Sequence, residues 1–456
     1  MGPEPVTICA AHITRGAAWG SDNQIVFAQN WCSLQRVSAS GGKPQPVTPY
    51  ATNRNERWPI ILPGGKHVLY TLNDYSGDYD KAKIVAVSLE DGRSRVVLEG
   101  ATNARYIPGG HLLYLHSGAL FSISFDPVTL KVSGSPTPLV EEVALFRKGG
   151  LAHAAVSSDG TLFYAPRNVA DLQDQLMWVD RKGVTIPVTP KRGGFSGPRL
   201  SPDGKQLLVC IADKQERSDV WLCDLGSDAW TRLTSEGDHF AARWSPDGKQ
   251  ISFASNRNGP YNVFLMPSDA SAPARQLTRN QPWTWATSWS PDGRTLLATW
   301  QRPVTGLDIM TVPVSQPDHA APAIATAARE DEGVFSPDGR WIAFHSNESG
   351  NFEIYIQAYP RGGRKWVIST QGGVLPLWRR DGRELFYASG NKLMAVQIQL
   401  GPELVIGKPR MLFEGDFDPE FDVTTDGPRF VIVRKEKPTP ATQINVVLGA
   451  FDTPKH

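Results

Sequence analysis

The sequence is poor in cysteine, and its charges of opposite sign almost cancel. Four cysteines (Cys9, Cys32, Cys210 and Cys223) among 456 residues are too few for a fold built on disulfides. Lys and Arg number 47 and Asp and Glu number 46, a net charge of +1. This balance argues against nucleic acid as the main partner, because phosphate binding needs a basic surface. No run of about 18 apolar residues occurs, so the sequence predicts no membrane span.

Signatures of catalysis and of metal binding are lacking as well. No Gly-x-Ser-x-Gly elbow occurs, and the nearest string, Gly-Phe-Ser-Gly-Pro at residues 194–198, has the wrong spacing. The nine histidines are scattered and show no His-Glu-x-x-His spacing. The sequence therefore predicts no catalytic residue, no metal ion and no cofactor. The first residues, MGPEPVTICAAHITRG, lack a basic stretch followed by an apolar one, so we expect no signal peptide there.

A tandem repeat dominates what the sequence does contain. Its marker, Ser-Pro-Asp-Gly, stands at residues 201–204, 245–248, 290–293 and 336–339. Weaker or degraded copies stand at residues 21–23, 63–65, 108–110, 158–160, 380–382 and 425–427. From residue 204 onward, the marker glycines are 43 to 46 residues apart. Ten markers at a near-constant step indicate ten copies of one structural unit.

Each repeat has the pattern of four short strands. Pro presets φ in a tight turn, Asp bonds nearby backbone, and Gly tolerates the closing position. A large apolar residue such as Trp244 precedes the turn, and a short apolar run such as residues 250–254 follows it. No stretch shows helical periodicity over ten or more residues. The sequence therefore predicts an all-β fold, a β-propeller of about ten four-stranded antiparallel blades.

Repeat quality divides the predicted blades into two groups. Six well-defined blades follow residue 193, and four weaker ones precede it. This division predicts a partial propeller of about four blades at residues 1–192 and a six-bladed propeller at residues 193–456. The short connection at residues 189–194 leaves one continuous ten-bladed ring as the alternative. A strand at residues 5–9 that lacks the start of its repeat indicates a piece of a longer protein.

The repeats resemble a known group. WSPDGKQISFASNRNG and FSPDGRWIAFHSNESGNFEIYIQAYP are similar to the TolB-type, WD-repeat-like propeller repeat. The segment GGRKWVISTQGGVLPLWRRDGRELFYASGNKLMAVQIQ (residues 362–399) and KPRMLFEG (residues 408–415) resemble the C-terminal propeller region of bacterial receptor-like serine/threonine kinases. That resemblance implies a sensor propeller in the periplasm or outside the cell, in a parent protein anchored in the membrane. No Gly-rich loop and no HRD or DFG triplet of a kinase occurs in this chain.

The segments that enter the first strands are the predicted place for a binding site, because loops of several blades converge at a channel mouth. The candidate residues are Arg57, His153, Asp238, His239, Trp283, Trp285, Glu330, Asp331 and Glu332, with Trp58, Asn103, Arg105, Glu420 and Asp422 at matching positions. The tryptophans beside acids and histidine predict a polar-aromatic pocket. Packing of the tryptophans between blades and solvation of the charges explain the same residues without a ligand.

Two further patterns have a structural explanation beside a functional one. Residues 74–80 carry side-chain oxygens at alternate positions, as a calcium loop does, but Val85 stands where the closing Glu is needed. We expect a solvated loop there. Cys210 and Cys223 lie on adjacent predicted strands, where two packed thiols are expected and a disulfide is the alternative in an oxidising compartment.

Three functions compete. The first is a non-catalytic sensor or protein- or ligand-binding module of a bacterial receptor-like protein, with a protein or small molecule as the partner. The second is a propeller-based hydrolase or lyase that uses channel acids such as Asp331 and Glu332 with His239. The third is a propeller that gates access to a separately encoded peptidase. The absence of catalytic motifs favours the first.

Overall fold

The computed structural model describes most of the chain. The described residues are 6–9, 11, 14–29, 33–49, 55–73, 79–141, 143–146, 150–157, 159–166, 173–213, 216–279, 283–302, 306–360, 362–401, 403–425, 427–436 and 443–451. Among them, regular structure is β-strand apart from two single-turn 3-10 helices, Tyr79–Lys81 and Pro317–His319. No helix in these ranges has the length and apolar character needed to cross a membrane. The predicted all-β propeller fold is confirmed, because antiparallel four-stranded sheets follow one another along the chain.

The chain forms two compact units, and the first comprises Met1–Val169 with Thr439–His456. Three four-stranded sheets open it, each with its strands in chain order. Their strands are Thr14–Trp19 (β1), Gln24–Gln29 (β2), Gln35–Ser38 (β3), Gln45–Pro46 (β4); Asn55–Ile61 (β5), His67–Asn73 (β6), Lys83–Ser88 (β7), Ser94–Glu99 (β8); and Thr102–Ile107 (β9), His111–His116 (β10), Ala119–Asp126 (β11), Lys131–Val140 (β12).

A hairpin and a shorter sheet complete the first unit. The hairpin is Leu145–Phe146 (β13) with Leu151–Ala152 (β14). The sheet joins Ala154–Val156 (β15) and Leu162–Tyr164 (β16) to Asn445–Val447 (β42). The last described strand of the chain therefore returns to the first unit.

The second unit is Ala170–Pro438 and holds six sheets. The first strand pair is Gln175–Asp180 (β17) and Thr185–Arg192 (β18). The five sheets that follow contain Gly194–Leu200 (β19), Gln206–Ala212 (β20), Ser218–Asp224 (β21), Ala229–Arg232 (β22); His239–Trp244 (β23), Gln250–Ser255 (β24), Asn262–Pro267 (β25), Arg275–Gln276 (β26); Thr284–Trp289 (β27), Thr295–Arg302 (β28), Gly306–Pro313 (β29), Ala321–Ile324 (β30); Glu330–Phe335 (β31), Trp341–Ser346 (β32), Glu353–Ala358 (β33), Lys365–Val367 (β34); and Val374–Trp378 (β35), Glu384–Ser389 (β36), Lys392–Gln399 (β37), Val405–Ile406 (β38), Arg410–Glu414 (β39).

The sixth sheet of the second unit is built from both ends of that unit. It pairs β17 with Arg429–Arg434 (β41), in the order β18-β17-β41 and then Phe417–Val423 (β40). β40 contacts both β19 and β35, so the first strands close a ring of six sheets. Because this ring closes after six sheets, its blades do not continue into a ten-bladed ring.

Because the ring closes in this way, its boundary in the chain differs from the boundary predicted from the sequence. The sequence placed the boundary between residues 192 and 193, but the structure places it between 169 and 170 and again between 438 and 439. The repeat marker locates the start of each blade, but it does not indicate which strands pair when they are far apart in the sequence. β17 and β18 therefore look like the end of an earlier blade, although they complete the last one.

The Ser-Pro-Asp-Gly marker forms the turn between the first two strands of its sheet. Ser201 Oγ donates to Asp203 Oδ1 at 2.6 Å and accepts the N–H of Gln206 at 2.9 Å. The marker glycines, such as Gly204 with φ 72°, adopt the left-handed conformation that this turn requires. The same Ser–Asp contact recurs in the next three sheets, so the sequence repeat is a repeated turn.

The core lies between neighbouring sheets. Leu208 and Val220 of one sheet pack against Ile251, Phe253 and Phe264 of the next, and all five are buried. Burial of side chains of this size stabilises a fold by roughly 1.5–3 kcal/mol each. Sheet-to-sheet packing therefore fixes the ring and positions its first strands around the central axis.

The two cysteines of the sheet β19–β22 are free and buried. Cys210 is opposite Val220, whereas Cys223 is opposite Leu207. Because side chains alternate along a strand, the thiols point to opposite faces of the sheet, and they belong to different clusters. The disulfide considered from the sequence is therefore not formed, and the thiols pack separately. The candidate calcium loop lies mostly outside the described residues, which omit 74–78.

Candidate functional site

A pocket of about 410 Å³ lies where the first strands of all six sheets of the second unit converge. We call it the central pocket. It is lined by the ends of these strands next to the marker turns, namely Arg199, Leu200, Arg243, Trp244, Thr287, Ser288, Trp289, Glu332, Val334, Phe335, Leu375, Leu377, Trp378, Glu420, Phe421 and Asp422, and by turn residues that include Pro202 and Arg380. This volume is in the range of sites for small ligands.

β-bulges aim side chains into the central pocket. The strand pairing shifts between Ser196 and Arg199 in β19 and between Phe240 and Arg243 in β23. At each bulge one residue has a positive φ, and for the non-glycine Ala241 it is 52°. The residue two positions later lines the pocket in both strands. Bulges of this kind re-aim side chains, and they recur at functional sites.

Two arginine–carboxylate pairs form the polar wall of the central pocket. Arg243 Nη2 lies 3.3 Å from Glu332 Oε2, and Arg199 Nη2 lies 3.7 Å from Glu420 Oε1. Both arginines also donate to backbone carbonyls, Arg243 to Thr287 O at 3.1 Å. Burial raises the pKa of Glu332, and the positive charge of Arg243 opposes that increase. The wall is therefore polar but internally paired.

Aromatic side chains form the rim of the central pocket. They are Trp244, Trp289, Phe335 and Trp378, each placed just before a marker turn. The indole N–H groups bind the preceding sheet: that of Trp244 donates to Arg199 O at 3.1 Å and that of Trp378 to Val334 O at 3.3 Å. The rim is therefore rigid: Trp289, Phe335 and Trp378 are buried, and Trp244 is partly exposed.

The sequence-predicted residues are divided between the two units. Arg57 and His153 lie in the first unit. Arg57 is buried, donates from Nε to Asn55 Oδ1 at 3.0 Å, and lies 5.6 Å from the ring centre of Tyr79. His153 is exposed between β14 and β15, and its backbone N–H donates to Ala144 O.

Asp238 and His239 form a closed network at the start of β23. The ring of His239 is fully buried; Nδ1 lies 3.0 Å from Ser218 O, and Nε2 lies 3.0 Å from Arg257 Nη2. Burial, with the nearby charge of Arg257, lowers the pKa of His239, which keeps the ring neutral. Asp238 accepts from the hydroxyl of Tyr261 and from the N–H of Ser218. Both ring nitrogens are thus engaged, so the arrangement is a structural one.

The remaining predicted residues lie in β31 and at the start of β27. Trp283 packs edge-on against Tyr261, with ring centres 5.1 Å apart, and Trp285 donates to Glu332. Glu330 is fully buried and accepts from Thr326, and burial raises its pKa.

Asp331 completes this group. It accepts from Thr299 Oγ1 at 2.7 Å and lies 3.4 Å from Arg329. Burial raises its pKa, against the effect of Arg329. Of the nine candidates, Glu332 lines the central pocket, and the other eight are not among its lining residues.

The residues named from the sequence include Glu332, Glu420 and Asp422 of this pocket, but they do not include Arg199, Arg243 and Arg380. Gly197, two residues before Arg199, is a local signal of a bulge, whereas Ala241 gives no such signal before Arg243. Arg380 also has a signal, because it replaces the Pro of the marker. In the described parts of the chain, no group of three His, Cys, Asp or Glu side chains is arranged to hold a metal ion.

Comparisons with known proteins bear on the same part of the chain. A family model described as the TolB beta propeller domain matches residues 180–333. The uncharacterized protein Atu1656 of Agrobacterium fabrum strain C58 is 29% identical over 173 residues, which cover 35% of this chain and 54% of that protein. The uncharacterized peptidase YuxL of Bacillus subtilis strain 168 is 25% identical over 195 residues, 33% of this chain and 29% of that protein.

Comparison with solved structures gives a match at lower identity. The putative TolB from Agrobacterium tumefaciens is 22% identical, with a TM-score of 0.47, and the match covers 58% of this chain and 99% of that one. The matches to the two curated relatives leave about half or more of their length uncovered. The chain is thus an all-β propeller protein in which residues 180–333 match the TolB-type propeller domain.

Proposed function

We propose that the second unit is a non-catalytic binding module, and that its ligand enters the central pocket. The carrying observation is the convergence of six sheets on one 410 Å³ pocket with an aromatic rim and a polar wall. Ligand sites are concave, mostly apolar and provided with a few fixed polar groups. The paired charges and the bonded indoles supply those fixed groups.

The sensor role follows from the sequence resemblance of residues 362–415 to propeller regions of receptor-like kinases. In this proposal the module acts in the periplasm or outside the cell, within a longer protein that is anchored in the membrane. Its ligand is a small molecule or a segment of a protein partner. Catalysis by His239 with Asp331 or Glu332 has less support, because the His239 ring is held by Ser218 and Arg257.

A blocked pocket tests the proposal. Val334 lines the central pocket, so Val334→Trp fills it, whereas Val367→Trp places the same side chain on the exposed outer strand of the same sheet. Acetylated tripeptides and aromatic small molecules are screened by saturation-transfer NMR and thermal shift. We expect binding to the unaltered chain and to Val367→Trp, and loss of binding in Val334→Trp. Binding that survives in Val334→Trp, at unchanged folding by circular dichroism, contradicts the proposal.

A second candidate is the gating of a separately encoded peptidase. The similarity to a Bacillus subtilis protein named as a peptidase favours it, over 33% of this chain. The test adds the chain to a peptidase encoded beside its gene and measures cleavage of short and long peptides. Selective loss of long-peptide cleavage supports gating, and unchanged rates for both contradict it.

A further inference from the structure

The Pro of the marker turn is replaced in two of the six sheets around the central pocket, by Arg380 and by Thr425, and the first replacement introduces a cation. In four turns the second residue is Pro, and Pro202, Pro246, Pro291 and Pro337 all line the pocket. In the fifth turn, residues 379–382 read Arg-Arg-Asp-Gly, and Arg380 takes the place of the Pro. Arg380 also lines the pocket. A ring of apolar turn residues therefore contains one guanidinium.

Backbone carbonyls of a distant turn hold Arg380 in place. Nη2 donates to Ser201 O at 2.9 Å and to Leu200 O at 3.3 Å, and Nη1 donates to Pro202 O. These bonds connect the sheet β35–β39 to the sheet β19–β22, which lies on the other side of the closing sheet. A guanidinium has five N–H groups, and these contacts use three. The Nε–H and one Nη1–H make no hydrogen bond to any described residue.

The charge of Arg380 is unmatched, unlike that of the other arginines of the central pocket. Arg199 has Glu420 at 3.7 Å, and Arg243 has Glu332 at 3.3 Å. Within the described ranges, no carboxylate oxygen forms an ion pair with Arg380. The remaining acid of the pocket, Asp422, accepts the backbone N–H groups of Leu200 and Val423. The pocket thus contains one cation, Arg380, that is already held in place. Two of its N–H groups make no hydrogen bond within the described residues, and an apolar rim lies beside it.

We propose that Arg380 receives the carboxylate of a ligand whose apolar part packs on the aromatic rim of the central pocket. This inference rests on the proposed function of the pocket. One unmatched charge fits a monoanion, and a guanidinium already held by three carbonyls needs no rearrangement to bind it. Two sources carry this chemistry: a free small acid, and the C-terminus of a polypeptide.

The test compares matched acids and amides. N-acetylphenylalanine and its amide differ only at the carboxylate, and N-acetyl-Ala-Ala-Phe and its amide extend the comparison to a peptide terminus. Calorimetry or NMR titration measures all four with the unaltered chain, Arg380→Gln and Arg383→Gln. Arg383 directly follows the same turn but is 82% exposed and does not line the pocket, so it controls for nonspecific charge.

We expect each acid to bind the unaltered chain about tenfold or more tightly than its amide, because a charge-assisted hydrogen bond is lost in the amide. Arg380→Gln removes that preference and leaves amide affinity unchanged, and Arg383→Gln retains the preference. Tighter binding of the peptide acid than of N-acetylphenylalanine identifies a polypeptide terminus, and the reverse identifies a small acid.

Two outcomes separate this inference from the proposed function. Equal binding of acid and amide, or a preference that survives in Arg380→Gln or disappears in Arg383→Gln, overturns the role of Arg380 and leaves the pocket as a binding site. Failure of all probes to bind the unaltered chain overturns both. If Arg380→Gln does not fold, Arg380→Lys provides the comparison, with the acid preference reduced but retained.

Discussion

Trp285 donates its indole N–H to Oε1 of Glu332 at 3.2 Å and thereby joins two neighbouring sheets. The other oxygen of Glu332 lies 3.3 Å from Nη2 of Arg243, on the sheet at the far side of Trp285. One carboxylate therefore connects the first strands of three consecutive sheets, β23, β27 and β31. Arg243 and Glu332 line the central pocket, whereas Trp285 does not.

We expect removal of the Glu332 carboxylate to lower the free energy of unfolding more than removal of the Trp285 indole N–H. Glu332→Ala leaves the buried Arg243 without its counter-charge, and we expect a decrease in the free energy of unfolding of about 3 kcal/mol. Trp285→Phe removes one hydrogen bond and retains most of the ring, so we expect about 1 kcal/mol. Urea unfolding at pH 7, followed by circular dichroism, measures both. Equal losses in the two variants contradict the central role of Glu332.

The repeat allowed the sheets to be predicted from the sequence. It did not predict which strands close the ring. Ser201, Ser245 and their counterparts mark turns because local chemistry decides a turn. The pairing of Gln175 with Arg434 joins residues that are far apart in the chain, and no local pattern encodes it.

The same distinction holds for the candidate site. Trp244 and Trp289 precede the marker turns, so the sequence places a large aromatic residue at the end of those first strands, but the predicted pocket used Trp283 and Trp285 instead. The direction of Arg199 and Arg243 depends on bulges at which Gly197 and Ala241 take a positive φ, and Ala241 gives no sign of this in the sequence.

Glu384 forms ion pairs that connect the closing sheet, β18-β17-β41-β40, to the neighbouring sheet β35–β39. Its carboxylate contacts Arg181 Nη2 at 2.5 Å, Arg410 at 3.2 Å and Arg379 at 3.3 Å, and it is buried. Arg181 stands in the turn after β17, so the ion pairs hold the N-terminal strand pair of the ring to the fifth sheet. We expect Glu384→Gln to lower the free energy of unfolding by about 2 kcal/mol at pH 7. Glu90→Gln, at an exposed pair with Lys66, serves as the control with a change within about 0.5 kcal/mol.

The pH dependence of this effect has a definite sign. Burial would raise the pKa of Glu384, but Arg181, Arg410 and Arg379 outweigh burial and lower it. A lowered pKa stabilises the folded chain above the unfolded value near 4.5, and that contribution is lost as the pH falls through the lowered folded value. We therefore expect the stability curves of the unaltered chain and Glu384→Gln to converge in acid. A difference that grows below pH 4.5 contradicts this assignment.

The thiols of Cys210 and Cys223 are predicted to be unreactive in the folded chain. Burial raises the pKa of each to about 12, and thiolate is the reactive form. Iodoacetamide at pH 8, followed by peptide mass spectrometry, should leave both cysteines unmodified until urea unfolds the second unit. Cys9, which is only partly buried, is the internal comparison. Alkylation of Cys210 at the rate of Cys9 in native buffer contradicts the packing.

His345 makes the second unit sensitive to acid. Its ring is buried, its Nδ1 accepts the N–H of Leu375 at 3.3 Å, and Phe352 packs against it edge-on. Burial lowers the pKa of His345 to about 4; Arg329 lowers it further, and Glu332 opposes both. The neutral ring therefore stabilises the folded chain fully above pH 6.5, and this contribution is lost as the pH falls toward 4. The depression corresponds to about 3 kcal/mol between pH 7 and pH 4.

A variant isolates this contribution from that of the buried acids, whose raised pKa values act in the opposite direction. His345→Asn retains an acceptor for the N–H of Leu375 but cannot titrate. Urea unfolding of both chains is measured at intervals from pH 7 to pH 4. The advantage of the unaltered chain over His345→Asn should shrink by about 3 kcal/mol across this range, because only the unaltered chain must bury a ring that is charged when unfolded. Parallel curves would show that the His345 ring accepts a proton in place, and that its pocket does not exclude the charge.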